Sequence, residues 1–212
     1  MDRIPLILFS GGLDSTYLVY EALNTSRVDL LYTAGPQGPY KEEAELLAQS
    51  KILKEIDKYS AFRVRDSIKA PPMDPSRCVE PFLRQPIAWI YSALMTVDPR
   101  KHSEVQIGYI LGDQASSVHH EITAAWDNLN KIAKLESVPL KMPLLRRTKI
   151  MIYSSLPESV RPLLWHCELP VKKGRSKKWQ ACGKCEACMI AANTRRAFDS
   201  LYDVSDVVYV KD

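Results

Sequence analysis

The chain has 212 residues, 46% of them hydrophobic, which is enough for one substantial domain with an appended lobe. A net charge of +4 and an isoelectric point near 8.7 are too mild for a strong polyanion binder, so nucleic acid is not an expected partner. The apolar run near the N-terminus is too short to span a bilayer and lacks a signal-peptide pattern, so a cytoplasmic protein without a membrane partner is expected.

Ile4 to Phe9 is a continuous apolar run ended by Ser10-Gly11-Gly12, and apolar residues then recur at helical intervals from Asp14 to Leu23. This predicts strand, tight turn, helix. Further strands are predicted at Val28 to Tyr32, Ala61 to Val64, Val105 to Ile110 and Leu140 to Leu144. Helices are predicted at Lys41 to Ile56, Pro86 to Val97 and Glu121 to Leu135, and a last one runs from a Thr148 cap to Leu156. The stretch from Ala34 to Pro39 reads as a loop. Strands alternating with helices predict an α/β fold with a doubly wound parallel sheet, whose ligand site forms from loops at the carboxyl ends of the strands. Pro157, Pro162 and Pro170 then interrupt regular structure. The expected division is residues 1–156 as the nucleotide-binding domain and residues 157–212 as a small metal-binding lobe.

Ser10-Gly11-Gly12-Leu13-Asp14-Ser15-Thr16 falls between the first strand and first helix. Backbone N–H groups and the helix dipole converge there, which favours phosphate. The glycines allow close main-chain approach and positive φ, and the hydroxyls of Ser10, Ser15 and Thr16 can donate to phosphate oxygens. Asp14 would repel phosphate unless it binds Mg²⁺ or caps the helix. The segment is neither a Walker A loop, which needs a Lys, nor a dinucleotide fingerprint, which needs a third glycine.

Cys182, Cys185 and Cys188 follow CxxC spacing, with Cys167 upstream across fourteen intervening residues. In a reducing compartment such a cluster reads as a metal site, and four thiolates suit tetrahedral Zn²⁺ in a closed, structural role. An iron–sulfur cluster is the rival, although no Cys-Pro follows Cys188. His166 could replace Cys167, but neighbours in extended chain point oppositely, which favours four cysteines. Cys78 is the odd thiol. Five of the eight positions from Val171 to Lys178 are Lys or Arg, either a solvated loop or a phosphate or nucleic-acid contact.

The loop resembles the SGGxDS motif of the N-type ATP pyrophosphatases, and loop and cysteines together resemble the 7-cyano-7-deazaguanine synthases. The resemblance implies the adenine nucleotide α-hydrolase type of sheet, with ATP, Mg²⁺ and Zn²⁺ bound. It further implies cleavage between the α- and β-phosphates, so that AMP activates 7-carboxy-7-deazaguanine as an acyl-adenylate. Ammonia then gives the amide, and a second activation gives the nitrile. Ser10, Asp14 and Ser15 would be catalytic, with Gly11, Gly12, Leu13 and Thr16 completing the nucleotide loop. Arg84-Gln85, Ile107-Gly108-Tyr109 with Asp113, Pro143-Leu144 and Thr148-Lys149 resemble further family segments, and Arg84, Gly108 and Asp113 are expected to contact substrate.

Two segments depart from the family. Its Tyr-Gly-Gln after the second strand is Tyr32-Thr33-Ala34-Gly35-Pro36-Gln37 here, and its Ser-Gly-Tyr-Pro-Asp-Cys-Arg run is Ser116-Ser117-Val118-His119-His120-Glu121. The second lies in the family's substrate region and leaves the acceptor open. His119, with His120 and Glu121 beside it, is a candidate for proton transfer or substrate contact, and Lys41 for phosphate or carboxylate contact. The expected partners are a small-molecule deazapurine acid and ammonia, and a homodimer is compatible with this reading. Two rivals remain: an RNA-modifying enzyme of the tRNA thiolase or lysidine type, and a diverged nucleotide-binding protein without catalysis.

Overall fold

The computed structural model describes residues 2–34, 39–70, 84–135, 138–172 and 179–202. Most of the expected loop after Ala34, Cys78 and positions 173–178 of the basic run lie outside those residues.

The elements are β1 (Ile4–Leu8), α1 (Leu13–Ala22), β2 (Val28–Thr33), α2 (Pro39–Ile56), β3 (Val64–Ala70), α3 (Arg84–Thr96), β4 (His102–Gln106), α4 (His119–Ala133), β5 (Leu140–Lys141), α5 (Lys149–Ser155), β6 (Val171–Lys172), β7 (Trp179–Gln180) and α6 (Glu186–Tyr202). Five strands form one parallel sheet in the order β3-β2-β1-β4-β5. Strand order reverses between β1 and β4, which is where parallel α/β sheets open a crevice for ligands.

Period-two alternation divides β1 between two cores. Leu6 and Leu8 face Leu31, Val105, Ile90 and Trp126, whereas Ile7 and Phe9 face Leu18, Leu23, Ile52 and Ile152. Helices therefore cover both faces, and β1 reads as an unbroken apolar run because neither side meets water.

Three strands differ from expectation. β3 starts at Val64, where Ala61 to Val64 was predicted, and pairs from Val28–Val64 to Thr33–Ala70. It is an edge strand of mostly polar residues, and pairing with β2 rather than apolar content selects it. β4 occupies His102–Gln106 rather than Val105 to Ile110. Ile107 to Ile110 are buried beyond the ladder, where Gly108 crosses the start of α1. β5 is only two residues long. The β6–β7 hairpin and α6 are not anticipated by the prolines and cysteines of the C-terminal segment. α6 packs on α5 through Tyr153 and Phe198, whose ring centroids are 5.2 Å apart, and Arg161 lies 4.6 Å above the Phe198 ring. No described helix is long and apolar enough to cross a membrane.

A buried polar cluster ties β2, β3 and β4 together. Asp29 is 3% exposed and pairs with Arg65 and with His102 Nε2 at 3.0 Å. His102 Nδ1 accepts the Asp98 N–H at 2.9 Å, so Nε2 carries the proton and donates to Asp29. Asp29→Ala strands a buried imidazole and a guanidinium, and is expected to cost about 3 kcal/mol by chemical denaturation. A cost below about 1 kcal/mol would show that the cluster does not hold the sheet.

Candidate functional site

Chain geometry builds the phosphate loop. Phe9 N–H still bonds Leu31 O at 2.9 Å, and Gly11 then turns the chain with φ +82°, a left-handed conformation suited to glycine. The Ser10 and Ser15 hydroxyls stand 3.1 Å apart, and Ser15 Oγ also takes the Ser10 N–H at 3.2 Å. Gly12 precedes α1 without a side-chain cap, so the first-turn N–H groups remain available.

Asp14 does not cap the helix, which corrects one of its two expected roles. Its side chain meets Lys149 Nζ at 3.5 Å, and Lys149 also reaches Asp113 at 3.3 Å. Burial pushes the Asp14 carboxyl up to about 6, with Lys149 opposing the rise and Asp113 adding to it. Asp14 Oδ1 is buried without a hydrogen-bond partner among the described residues.

Ser10, Gly12, Leu13, Asp14 and Ser15 line a cleft of about 630 Å³ together with Gly108, Asp113, Lys41 and Lys149. Gly11 shapes the loop without lining the cleft. Thr16 is fully buried and outside the lining, so its position does not support the expected phosphate contact. A Cβ on Gly108 would lie 3.1 Å from Asp14 C and O and from Ser15 N, so Gly108 lets the chain beyond β4 press on the phosphate loop. His119 lies outside the lining residues. Its Nδ1 donates to Ser116 O at 2.8 Å, its ring lies 3.9 Å from that of His120, and neither residue lines the cleft. The pair and Glu121 stand in the first turn of α4, directly after the turn Gln114–Val118. Arg84 opens α3, and its side chain lies outside the described residues.

The cleft also contains Lys149, Trp89, Tyr109, Trp165 and Arg195, which sequence reasoning did not single out as site residues, and His166, which it weighed only as a metal ligand. Two were within reach of the sequence. Lys149 follows the Thr148 cap, whose hydroxyl accepts from Met151 N–H, and His166 must face opposite to Cys167 in extended chain.

Cys167, Cys182, Cys185 and Cys188 converge, their sulfurs all within 4.8 Å of one another. Gly183 turns with φ +75° between the first two cysteines of the CxxC run. Cys182 N–H donates to Cys167 Sγ at 3.1 Å, and Cys185 N–H donates to Cys182 Sγ at 3.3 Å. The backbone N–H groups of Lys184 and Cys185 hold the Cys182 thiol down to about 6, while burial pushes Cys188 up to about 12. Four thiolates around one ion at zinc–sulfur distance stand about 3.8 Å apart, and Cys182 and Cys188 are 4.0 Å apart. A cubane cluster places each thiolate on its own iron and spreads the sulfurs further. His166 lies in the cleft, not among the sulfurs.

One short segment links both centres. Trp165 N–H donates to Gly11 O at 2.9 Å, its indole N–H donates to Cys167 O at 3.1 Å, and Cys167 reaches the sulfur cluster.

No family model matches the chain, and no curated protein matches it. Among solved structures, it is similar to the U34-tRNA thiolase NcsA from Methanococcus maripaludis with its 4Fe-4S cluster, at 14% identity and a TM-score of 0.49, over 95% of this chain and 67% of that one.

Proposed function

We propose that this chain is an ATP-dependent enzyme of the N-type pyrophosphatase kind that transfers AMP to a substrate carboxylate and releases pyrophosphate. The uncapped start of α1 carries this reading, since it opens with the Ser10–Ser15 pair onto a cleft holding the Asp14–Lys149–Asp113 group. First-turn N–H groups and serine hydroxyls match the β- and γ-phosphate oxygens. The unpartnered Asp14 oxygen fits a Mg²⁺ ion, which would neutralise charge on the departing pyrophosphate. Lys149 would offset charge beside the α-phosphate. The carboxylate attacks the α-phosphorus, the bond to the β-phosphate oxygen breaks, and an acyl-adenylate forms. Ammonia then displaces AMP to give the amide, and a second activation dehydrates it to a nitrile.

The cleft volume supports a small-molecule acceptor, and the acceptor we propose is 7-carboxy-7-deazaguanine. The four cysteines would hold one Zn²⁺ in a closed site with a structural role, and four reduced thiols suit the cytoplasm.

Purified protein with Mg-ATP, ammonium and 7-carboxy-7-deazaguanine is expected to give AMP, pyrophosphate and the amide or nitrile, followed by mass spectrometry. Asp14→Asn is expected to lower AMP formation by about a hundredfold while keeping the bound metal. Wild-type protein that forms no acid-dependent AMP would sink the reading, and AMP formation that requires transfer RNA would move the acceptor to nucleic acid.

A further inference from the structure

Because β1 lies between β2 and β4, the cleft has a wing on each side of the phosphate loop. On the β2 side, Lys41 pairs with Glu45 at 3.7 Å and Glu168 at 3.8 Å, so the charges of these groups answer one another. The β4 side is aromatic. Trp89 of α3 and Tyr109 beyond β4 both line the cleft, with ring centroids 5.8 Å apart and planes 10° from parallel. Tyr109 stacks on the half-buried indole. Tyr109 itself is 4% exposed, and its hydroxyl is buried without a hydrogen-bond partner among the described residues.

A phenol packed only for its ring normally turns its hydroxyl to a carbonyl or to water, because an unpaired buried donor loses its solvation for nothing. Here that donor belongs to a residue that lines the cleft with Asp113, in the crevice where strand order reverses. Gln85, exposed at the start of α3, adds an amide on the same side.

We propose that Trp89 and Tyr109 form a second subsite, distinct from the nucleotide's, for a planar heterocycle that lies against the indole and accepts the Tyr109 hydroxyl proton. The subsite deepens the adenylation reading, and rests on it for the heterocycle's role as acceptor. Because the hydroxyl is covered, binding includes a small displacement of the Trp89 ring. A flat ring with acceptors on its edge fits this pair, whereas a saturated acid of similar size gains neither the stacking nor the hydrogen bond.

Calorimetric titration of the full chain tests this with three probes used separately: 7-carboxy-7-deazaguanine, cyclohexanecarboxylate, and α,β-methylene-ATP with Mg²⁺. Wild-type protein is expected to bind the planar acid at least about tenfold more tightly than the saturated one. Tyr109→Phe is expected to weaken planar-acid binding about tenfold. Trp89→Ala is expected to weaken it at least as much, and Trp89→Phe to retain most of it. None of the three should alter affinity for the nucleotide analogue by more than about twofold. Equal binding of both acids, or unchanged planar-acid binding in Tyr109→Phe, would overturn the subsite. Loss of nucleotide-analogue affinity in Trp89→Ala would also overturn it, by giving the aromatic wing to adenine. Should Trp89→Ala not fold, Tyr109→Phe removes one oxygen and decides alone. Failure of the adenylation reading shows separately, as wild-type protein that ignores the nucleotide analogue and forms no AMP.

Discussion

Cys185→Ser is expected to release the metal and to lower the melting temperature by roughly 10 °C, the shift that about 3–4 kcal/mol produces in a chain of this size. Cys185 belongs to a set of four sulfurs with no spare member, and serine offers an oxygen where the set needs a thiolate. The same variant is expected to lose affinity for α,β-methylene-ATP, although no described cysteine lines the cleft. The route is Cys167 to Trp165 and from Trp165 N–H to Gly11 O. Cys78→Ser, by contrast, should keep metal, melting temperature and nucleotide affinity. Metal content by plasma emission, thermal melting by circular dichroism and calorimetric nucleotide binding read all three. Full nucleotide affinity in metal-free protein would disprove the link between the two centres.

Gly108→Ala is the second large effect, and its pattern is the reverse. The added methyl would meet three main-chain atoms of Asp14 and Ser15 at 3.1 Å. A side-chain neighbour could rotate away, but main chain in the first turn of α1 can yield only by moving the loop. Misplacement of a site by a fraction of an ångström to one ångström costs up to about a hundredfold in rate. AMP formation is therefore expected to fall by about that factor, while the melting temperature changes by only a few degrees and the metal stays bound. Turnover within about threefold of wild type would show that the loop tolerates displacement.

The sheet was legible where chemistry is local. β1, β2 and the helices that follow them announce themselves by apolar runs and helical periodicity, and the glycines between β1 and α1 mark the loop. β3 was displaced because partner pairing, which no local pattern carries, selects Arg65 to Lys69 for the edge. The four cysteines were legible because metal ligands must share residue type and spacing. His119 drew notice as a titratable side chain next to a family-like segment, while the adjoining turn, which claims its Nδ1 for Ser116, is a three-dimensional fact. Thr16 followed the motif by its letter, yet one residue along a helix turns a side chain through about 100°, from the cleft into the core. Lys149, Trp89 and Tyr109 come from three separate elements, and only the fold brings them to one place.

The segment from Trp165 to Cys167 also sets an order of events. The Gly11 carbonyl of the loop accepts its closing hydrogen bond from the N–H of Trp165, 154 residues later in the chain. That tryptophan is anchored in turn by a cysteine whose companions come still later. A growing chain would thus display its nucleotide loop long before it could finish it, and metal capture, once Cys188 has been made, would be the step that sets the loop. Scarcity of the metal would then produce well-formed sheets with unready sites, a population visible as folded protein with low nucleotide occupancy.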